Sequence, residues 1–375
     1  MSNIFPGIAA ELERLKQTGR ERALALPRGV DFTSNDYLAL SRHPALREAC
    51  IAALKEDGFA GAGGSRLLRG HHPAHRQLEE FAAGFFGVQK SLFMGGGFVA
   101  NFALFTTLAE RHDAIVFDER IHASVKEGIH ASAAERYRVR HNEPQDFEAA
   151  IRRARAKGAR RVLVAVESVY SMDGDSAPLA ELSSIARGHD AVLVVDEAHA
   201  TGVFGVSGRG LGEGLDQSHW ISLHTCGKAL GVFGALICGS AEIIDYMINK
   251  ARPFIYSTAP PPHLAAAVER ALNLVDEEPW RRERVLQLAR FAHERLAPKD
   301  AALAGSQILP VILGSEQRAL SVARSLQDAG FDVRAVRPPT VPEGTSRLRI
   351  SIHADHSEEQ ILALAAELDR IRDLS

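Results

Sequence analysis

Short runs of consecutive apolar residues, at 91–94, 114–117, 162–166, 191–195 and 236–238, constrain this chain more than any other feature. A strand such as Val162-Leu163-Val164-Ala165-Val166 carries apolar side chains on both sides, so both of its faces must be covered. Segments with helical character, at about 145–157 and 178–187, fall between the runs. Alternation of this kind predicts an α/β chain with a mostly parallel sheet wrapped in helices. The 375 residues exceed one typical core. The expected division is an N-terminal helix and strand segment at 1–40, a large domain at 41–262 and a smaller C-terminal α+β domain at 263–375. That last part reads as one long charged helix at about 263–296, a strand at 308–313, a helix at 316–329, strands at 332–336 and 347–353, and a final helix at 357–372. Ile4, Ile8, Leu12 and Leu15 at helical spacing predict an amphipathic helix near the N-terminus.

The run at 191–195 ends in Asp196-Glu197-Ala198-His199. Ionisable groups at the mouth of a buried strand are costly without partners, and ligands of open α/β sheets bind at the carboxyl ends of strands. Further on, Lys228 sits in the small-residue stretch Gly227-Lys228-Ala229-Leu230-Gly231. Poor solvation there would favour its neutral amine. Taken singly, the aspartate reads as a helix cap and the lysine as a surface charge. Together, a carboxylate, an imidazole and an activatable amine suit pyridoxal 5'-phosphate (PLP). Lys228 would form the Schiff base and Asp196 would partner the pyridinium nitrogen.

Charge argues against some alternatives. With 44 Lys and Arg against 47 Asp and Glu the net charge is −3, which offers no surface for nucleic acid or membrane. No apolar run approaches the roughly 20 residues needed to cross a bilayer. Cys50, Cys226 and Cys238 have no disulfide or metal spacing, so no metal is expected and a cytoplasmic setting is.

Many motifs then occur in one order: Phe32-Thr33-Ser34-Asn35-Asp36-Tyr37-Leu38, Gly61-Ala62-Gly63-Gly64-Ser65-Arg66-Leu67-Leu68-Arg69-Gly70, His75-Arg76-Gln77-Leu78-Glu79, His122-Ala123-Ser124, Ser171-Met172-Asp173-Gly174-Asp175, Asp196-Glu197-Ala198-His199 and Arg347-Leu348-Arg349. Nearly the whole chain thereby resembles the α-oxoamine synthase family, PLP enzymes of fold type I with the aspartate-aminotransferase fold. The resemblance implies a homodimer with its active site at the subunit interface. The branch it most resembles condenses L-alanine with a pimeloyl thioester, carried on CoA or an acyl-carrier protein, on the way to biotin. Other branches use glycine or serine with other acyl-CoA donors. Two further classes remain: an aminotransferase of the same fold, and a nucleotide-binding regulator suggested only by the glycine-rich loop at 95–97, which lacks a Gly-x-Gly-x-x-Gly pattern.

The resemblance also assigns residues. Lys228, Asp196, His199 and His122 are the expected catalytic group: His122 would stack on the pyridine ring and His199 would bond its phenolic oxygen. Ser171 would lie close to that oxygen, with Glu167 nearby. The phosphate would meet backbone amides of Gly97 and Phe98 at a helix N-terminus, together with the Thr225 hydroxyl. Ser257 and Thr258 would reach it from the partner subunit. Asn35 and Ser65 are expected substrate contacts, with Arg66 beside Ser65. Arg347 and Arg349, two apart on a strand, share a face; Arg349 would bind the amino acid's carboxylate and Arg347 would pair structurally. Two positions depart from the family pattern. Gly96 replaces a small polar residue, which removes one donor to the phosphate. Cys226 replaces a bulky apolar residue beside the lysine and reads as a packing change.

Overall fold

Continuous apolar runs become buried strands because helices cover both of their sides. The computed structural model describes residues 5–215, 218–296 and 305–373. The chain opens with α1 (Pro6–Gln17), β1 (Val30–Asp31), α2 (Pro44–Asp57) and α3 (Pro73–Phe86). It continues through β2 (Lys90–Met94), α4 (Gly97–Leu108), β3 (Ala114–Asp118), α5 (Ala123–Ala131), β4 (Glu135–Val139) and α6 (Pro144–Ala156). Next come β5 (Val162–Glu167), α7 (Leu179–Gly188), β6 (Val192–Asp196), β7 (Trp220–Thr225) and β8 (Ala235–Gly239). The helices α8 (Ala241–Lys250), α9 (Arg252–Ile255), α10 (Pro262–Glu277) and α11 (Trp280–Leu296) follow. The last elements are β9 (Ile308–Gly314), α12 (Glu316–Asp328), β10 (Phe331–Asp332), β11 (Ala335–Val336), β12 (Ser346–Ser351) and α13 (Glu358–Asp373).

Two compact units result. The larger comprises residues 36–171 and 175–284, and the smaller residues 1–35, 172–174 and 285–375. These borders differ from the expected breaks at 40 and 262. Helix α10 packs on α2 and α3 and so stays with the larger unit, whereas β1 pairs in parallel with β10 and joins the N-terminal segment to the smaller one.

The larger unit holds a seven-stranded sheet in the order β2-β8-β7-β6-β5-β3-β4. Strand β8 runs antiparallel to both of its neighbours, and the other six strands share one direction. Alternate residues of β5 enter opposite cores: Leu163 and Ala165 join Leu104, Phe105 and Val125, while Val162, Val164 and Val166 join Phe147, Ile151 and Leu182. Each Val or Leu so buried contributes about 1.5–3 kcal/mol, which is why the central strands carry no polar face.

Strands β4 and β7 were not among the expected runs. Edge strand β4 buries only Tyr137 and Val139 and exposes its charges. In β7, His224 is buried because Thr201 and Ser222 satisfy its ring nitrogens at 2.8 Å each and Phe86 stacks on it at 3.6 Å. Burial pulls its pKa down to about 3, so it is neutral.

In the smaller unit β9, β12 and β11 form an antiparallel sheet, with α12 packed against it. Two expectations fail in the C-terminal part. The long helix is two helices, because Pro279 has no N–H to donate and bars its neighbour from helical geometry; Glu278 takes φ −122°, ψ 57°. The strand at 332–336 is likewise two: Arg334 turns back onto Asp332 at 2.6 Å, so β10 pairs with β1 and β11 with β12.

Candidate active site

Because β2, β3, β5, β6 and β7 are parallel, their carboxyl ends lie along one edge of the large sheet. Gly97 follows β2, His122 follows β3, Ser171 follows β5, Asp196 ends β6 and Lys228 follows β7. Topology alone gathers these residues from five parts of the chain.

Asp196 is buried and both of its oxygens are engaged. Oδ1 accepts the Ala198 N–H at 2.9 Å, and Oδ2 accepts the side-chain amide of Asn101 at 2.7 Å. The same amide nitrogen donates to Ser124 Oγ at 3.0 Å, and Ser124 Oγ lies 2.7 Å from His122 Nδ1. A chain of hydrogen bonds thus orients the carboxylate and the His122 ring together. Burial holds the His122 pKa below its ordinary value, against the opposing pull of Asp196. Glu167, paired across the sheet with Asp196, accepts the Ser171 N–H at 3.2 Å. Burial, reinforced by the Asp196 charge, pushes its pKa up to about 8, so Glu167 carries a proton at neutral pH and does not compete with Asp196.

Lys228 is half-buried, with Nζ 2.9 Å from His199 Nε2. His199 Nδ1 lies 2.7 Å from the hydroxyl of Tyr37, a fully buried residue. The imidazole is therefore held on both sides, and it delivers one ring nitrogen to the lysine amine. Cys226 is completely buried and its thiol is driven well above the usual range by burial, so it behaves as a small apolar side chain and not as a nucleophile.

The start of α4 is the place expected to meet the phosphate. No side chain caps this helix, so its first-turn amides face outward. A Cβ on Gly97 would stand 2.6 Å from Thr225 Cγ2, so only glycine lets the helix start this close to the end of β7. Gly96 has φ 135°, a conformation strained for any residue with a side chain. The backbone turn thus favours glycine at that position, so no side-chain donor stands there. Anion-binding amides and hydroxyl, an oriented buried carboxylate, a histidine and a lysine amine together fit the phosphate, ring nitrogen and carbonyl carbon of PLP.

The other expected residues lie elsewhere. Ser65 is in a loop stitched to the segment after Ser257 and Thr258 through Ala259 N–H on Gly64 O at 2.9 Å. Ser257 and Thr258 are exposed. Arg66 turns inward to Glu79 at 2.8 Å, and Glu79 also accepts the Phe93 N–H, so this arginine anchors β2. In the smaller unit, Arg347 pairs with Asp173 at 2.6 Å, Arg349 is buried on β12 and donates to Ser351 Oγ at 2.9 Å, and Asn35 is half-buried. Sequence reasoning missed Asn101, Ser124 and Tyr37 as supports of the site. The available signal was a lone asparagine inside an otherwise apolar helix.

The pattern of the class I and II aminotransferases matches residues 27–368. The chain belongs to that family. Within it, the chain is 42% identical to the 8-amino-7-oxononanoate synthase of Chromobacterium violaceum, over 97% of each chain. It is 41% identical to the protein of the same name from Anaeromyxobacter dehalogenans, over 96% of this chain and 94% of that one. Among solved structures, serine palmitoyltransferase of Sphingomonas wittichii superposes with a TM-score of 0.91 at 29% identity, covering 99% and 98% of the two chains. The 8-amino-7-oxononanoate synthase of Francisella tularensis gives 0.77 at 28%, covering 92% and 98%. These matches bear out the resemblance drawn from the motifs, and the fold is fold type I of the PLP enzymes.

Proposed function

We propose that this chain is a PLP-dependent acyltransferase that condenses L-alanine with a pimeloyl thioester, releasing carbon dioxide and the thiol and giving 8-amino-7-oxononanoate for biotin synthesis. The observation that carries this reading is the end-to-end match at 42% identity with a synthase of that name. The sheet edge where Asp196, His199 and Lys228 meet supports it.

PLP, when bound, supplies an electron sink for the pair left as a bond to the amino acid's α-carbon breaks. Around it the residues have separate tasks. Asp196, oriented by Asn101, would keep a proton on the ring nitrogen. The amides of Gly97 and Phe98 and the Thr225 hydroxyl take the phosphate. His122, fixed through Ser124, would lie against the ring, and Ser171 and His199 would serve the phenolic oxygen. Lys228 would be the covalent anchor for the cofactor, and its free amine would be the base for the proton at the amino acid's α-carbon. His199 aims that amine. Arg349 is assigned the amino acid's carboxylate, for which a planar fork is suited, and Asn35 and Ser65 are assigned to substrate. A carbon–carbon bond then forms to the thioester carbonyl as the carbon–sulfur bond breaks, and the alanine carboxyl leaves as carbon dioxide.

We assign the working form to a homodimer in the cytoplasm, with Ser257 and Thr258 serving the partner's phosphate. Exposed Leu68, Phe98, Phe233 and Tyr256 support a protein-covered face. For the cytoplasm, the support is three free cysteines and, among the described residues, no helix long and apolar enough to cross a membrane. Sedimentation of the holoenzyme tests the dimer. The fit to serine palmitoyltransferase favours a second reading, serine with a long acyl thioester. Measuring free-thiol release from alanine, glycine and serine crossed with thioesters of several lengths, on CoA and on carrier protein, separates them. Release that is fastest with alanine and pimeloyl thioester is expected. Keto-acid formation without thiol release would overturn both readings in favour of an aminotransferase.

A further inference from the structure

A second ionic cluster occupies the carboxyl edge of the same sheet, outside the group assigned to PLP. His141 follows edge strand β4. Its Nδ1 meets Asp118 Oδ1 at 2.9 Å and its Nε2 meets Asp175 Oδ2 at 2.6 Å. Asp118 is fully buried at the end of β3, and it also accepts the backbone N–H groups of Arg120 at 2.8 Å and Asn142 at 2.9 Å. Asn142 Nδ2 donates to Asp175 Oδ2 at 3.0 Å, and Tyr170 packs edge-on against the imidazole with ring centroids 4.4 Å apart. An imidazole between two carboxylates serves both only by donating from each nitrogen. Neither ring nitrogen is left to activate a nucleophile.

The cluster's partners show what it holds. Asp118 opens the turn that ends at His122, the N-cap of α5, and its bond to Arg120 N–H shapes the first half of that turn. Asp175 closes the loop that follows β5 and carries Ser171, accepting the Tyr170 N–H on its carbonyl at 2.8 Å. One side chain just after β4 therefore ties together two loops that each carry a residue assigned to the cofactor site.

We propose that His141 is a positioning residue: through its two carboxylate partners it fixes the His122 turn and the Ser171 loop relative to one another. This rests on the assignment of His122 and Ser171 to the cofactor. Burial, the largest single influence, pulls the His141 pKa down, but Asp118 and Asp175 together raise it to about 9. The facing groups are Asp118 on β3, Asp175 and Tyr170 on the β5 loop, Glu119, whose carboxylate accepts the His141 N–H at 3.4 Å, and Lys126 on α5, which feels Asp118. A raised histidine stabilises fully below its ordinary value near 6.5, so the tie is intact there and is lost as pH climbs through about 9.

His141→Gln tests this without reference to the substrate. In the cofactor-free protein, amide hydrogen exchange across residues 119–124 and 168–171 should quicken at least tenfold while the rest of the sheet is unchanged. In the holoenzyme kcat should fall roughly ten- to a hundredfold, the scale for misplacing groups from a distance. KM for the acyl donor should stay within twofold. The alkaline fall in kcat near pH 9 should vanish in the variant. Should His141→Gln not fold, Asp175→Asn keeps the Asp118 pair and should loosen only residues 168–171. Unchanged exchange in a folded variant, or unchanged kcat with the alkaline limb retained, would overturn the proposal. A different preferred substrate would overturn the functional reading and leave the exchange result standing.

Discussion

Asn101 is the residue on which the orientation of Asp196 turns, and its removal can be worked through from the structure. Its amide nitrogen donates to Asp196 Oδ2 at 2.7 Å and to Ser124 Oγ at 3.0 Å, and the side chain is buried. Asn101→Ala deletes a bond to a charged acceptor, which contributes about 1.5–3 kcal/mol. It leaves Asp196 held by the Ala198 N–H alone, free to turn away from the ring nitrogen. If the lost bond appears in cofactor affinity, PLP should bind roughly 10- to 150-fold more weakly. The measurement is a fluorescence titration of PLP into cofactor-free protein, with Asp196→Ala as the reference for total loss. Ser124→Ala should cost less, since it removes only the neutral bond, and the double variant should not add, because both act through one amide. A dissociation constant for Asn101→Ala within twofold of wild type, with Asp196→Ala severely impaired, would refute the claim that this amide orients the carboxylate.

Other consequences are as direct. Gly97→Ala forces a methyl to within 2.6 Å of Thr225 Cγ2 and should weaken PLP at least tenfold while sparing pyridoxal, which has no phosphate; equal losses by equilibrium dialysis would remove the start of α4 as the phosphate site. Lys228→Ala should abolish turnover yet retain PLP non-covalently, as read from its visible absorbance, and wild-type-like condensation would end the assignment. Arg349→Ala should raise KM for alanine tenfold or more, and an unchanged alanine dependence would take it out of the site. In the native protein one thiol should react with a disulfide reagent, the half-buried Cys50, since Cys226 and Cys238 are buried and their thiols are raised; three fast thiols would contradict the packing beside Lys228.

Some of this is legible in the sequence. Asp196 and Lys228 stood out because each charge follows a stretch that has no reason to hold one, and the sheet was legible because strands buried on two sides lose their polar face. Asn101 and Tyr37 were harder to read: each carries out its role only where elements distant in sequence meet, and the one local mark was Asn101 standing alone in a mostly apolar helix. Strand β4 was hidden by its edge position, where Arg136 and Arg138 can face water. The break at Glu278-Pro279 was written in the chain, but the helical pattern resumes so soon after it that two helices read as one. Gly96 looked like a lost donor when judged by side chains, and it became intelligible once its backbone angle was known.

The three residues 172–174 belong with the smaller unit, as do residues 1–35, yet that unit's sheet comes from the last part of the chain. During synthesis the larger unit has all of its residues once Arg284 has emerged. The first segment must wait: β1 cannot pair with β10 until Phe331 is made, and the Asp173–Arg347 ion pair cannot form until Arg347 is made. Chaperone demand should therefore peak late in translation, and neither a C-terminal fragment nor an N-terminally trimmed chain should complete this unit.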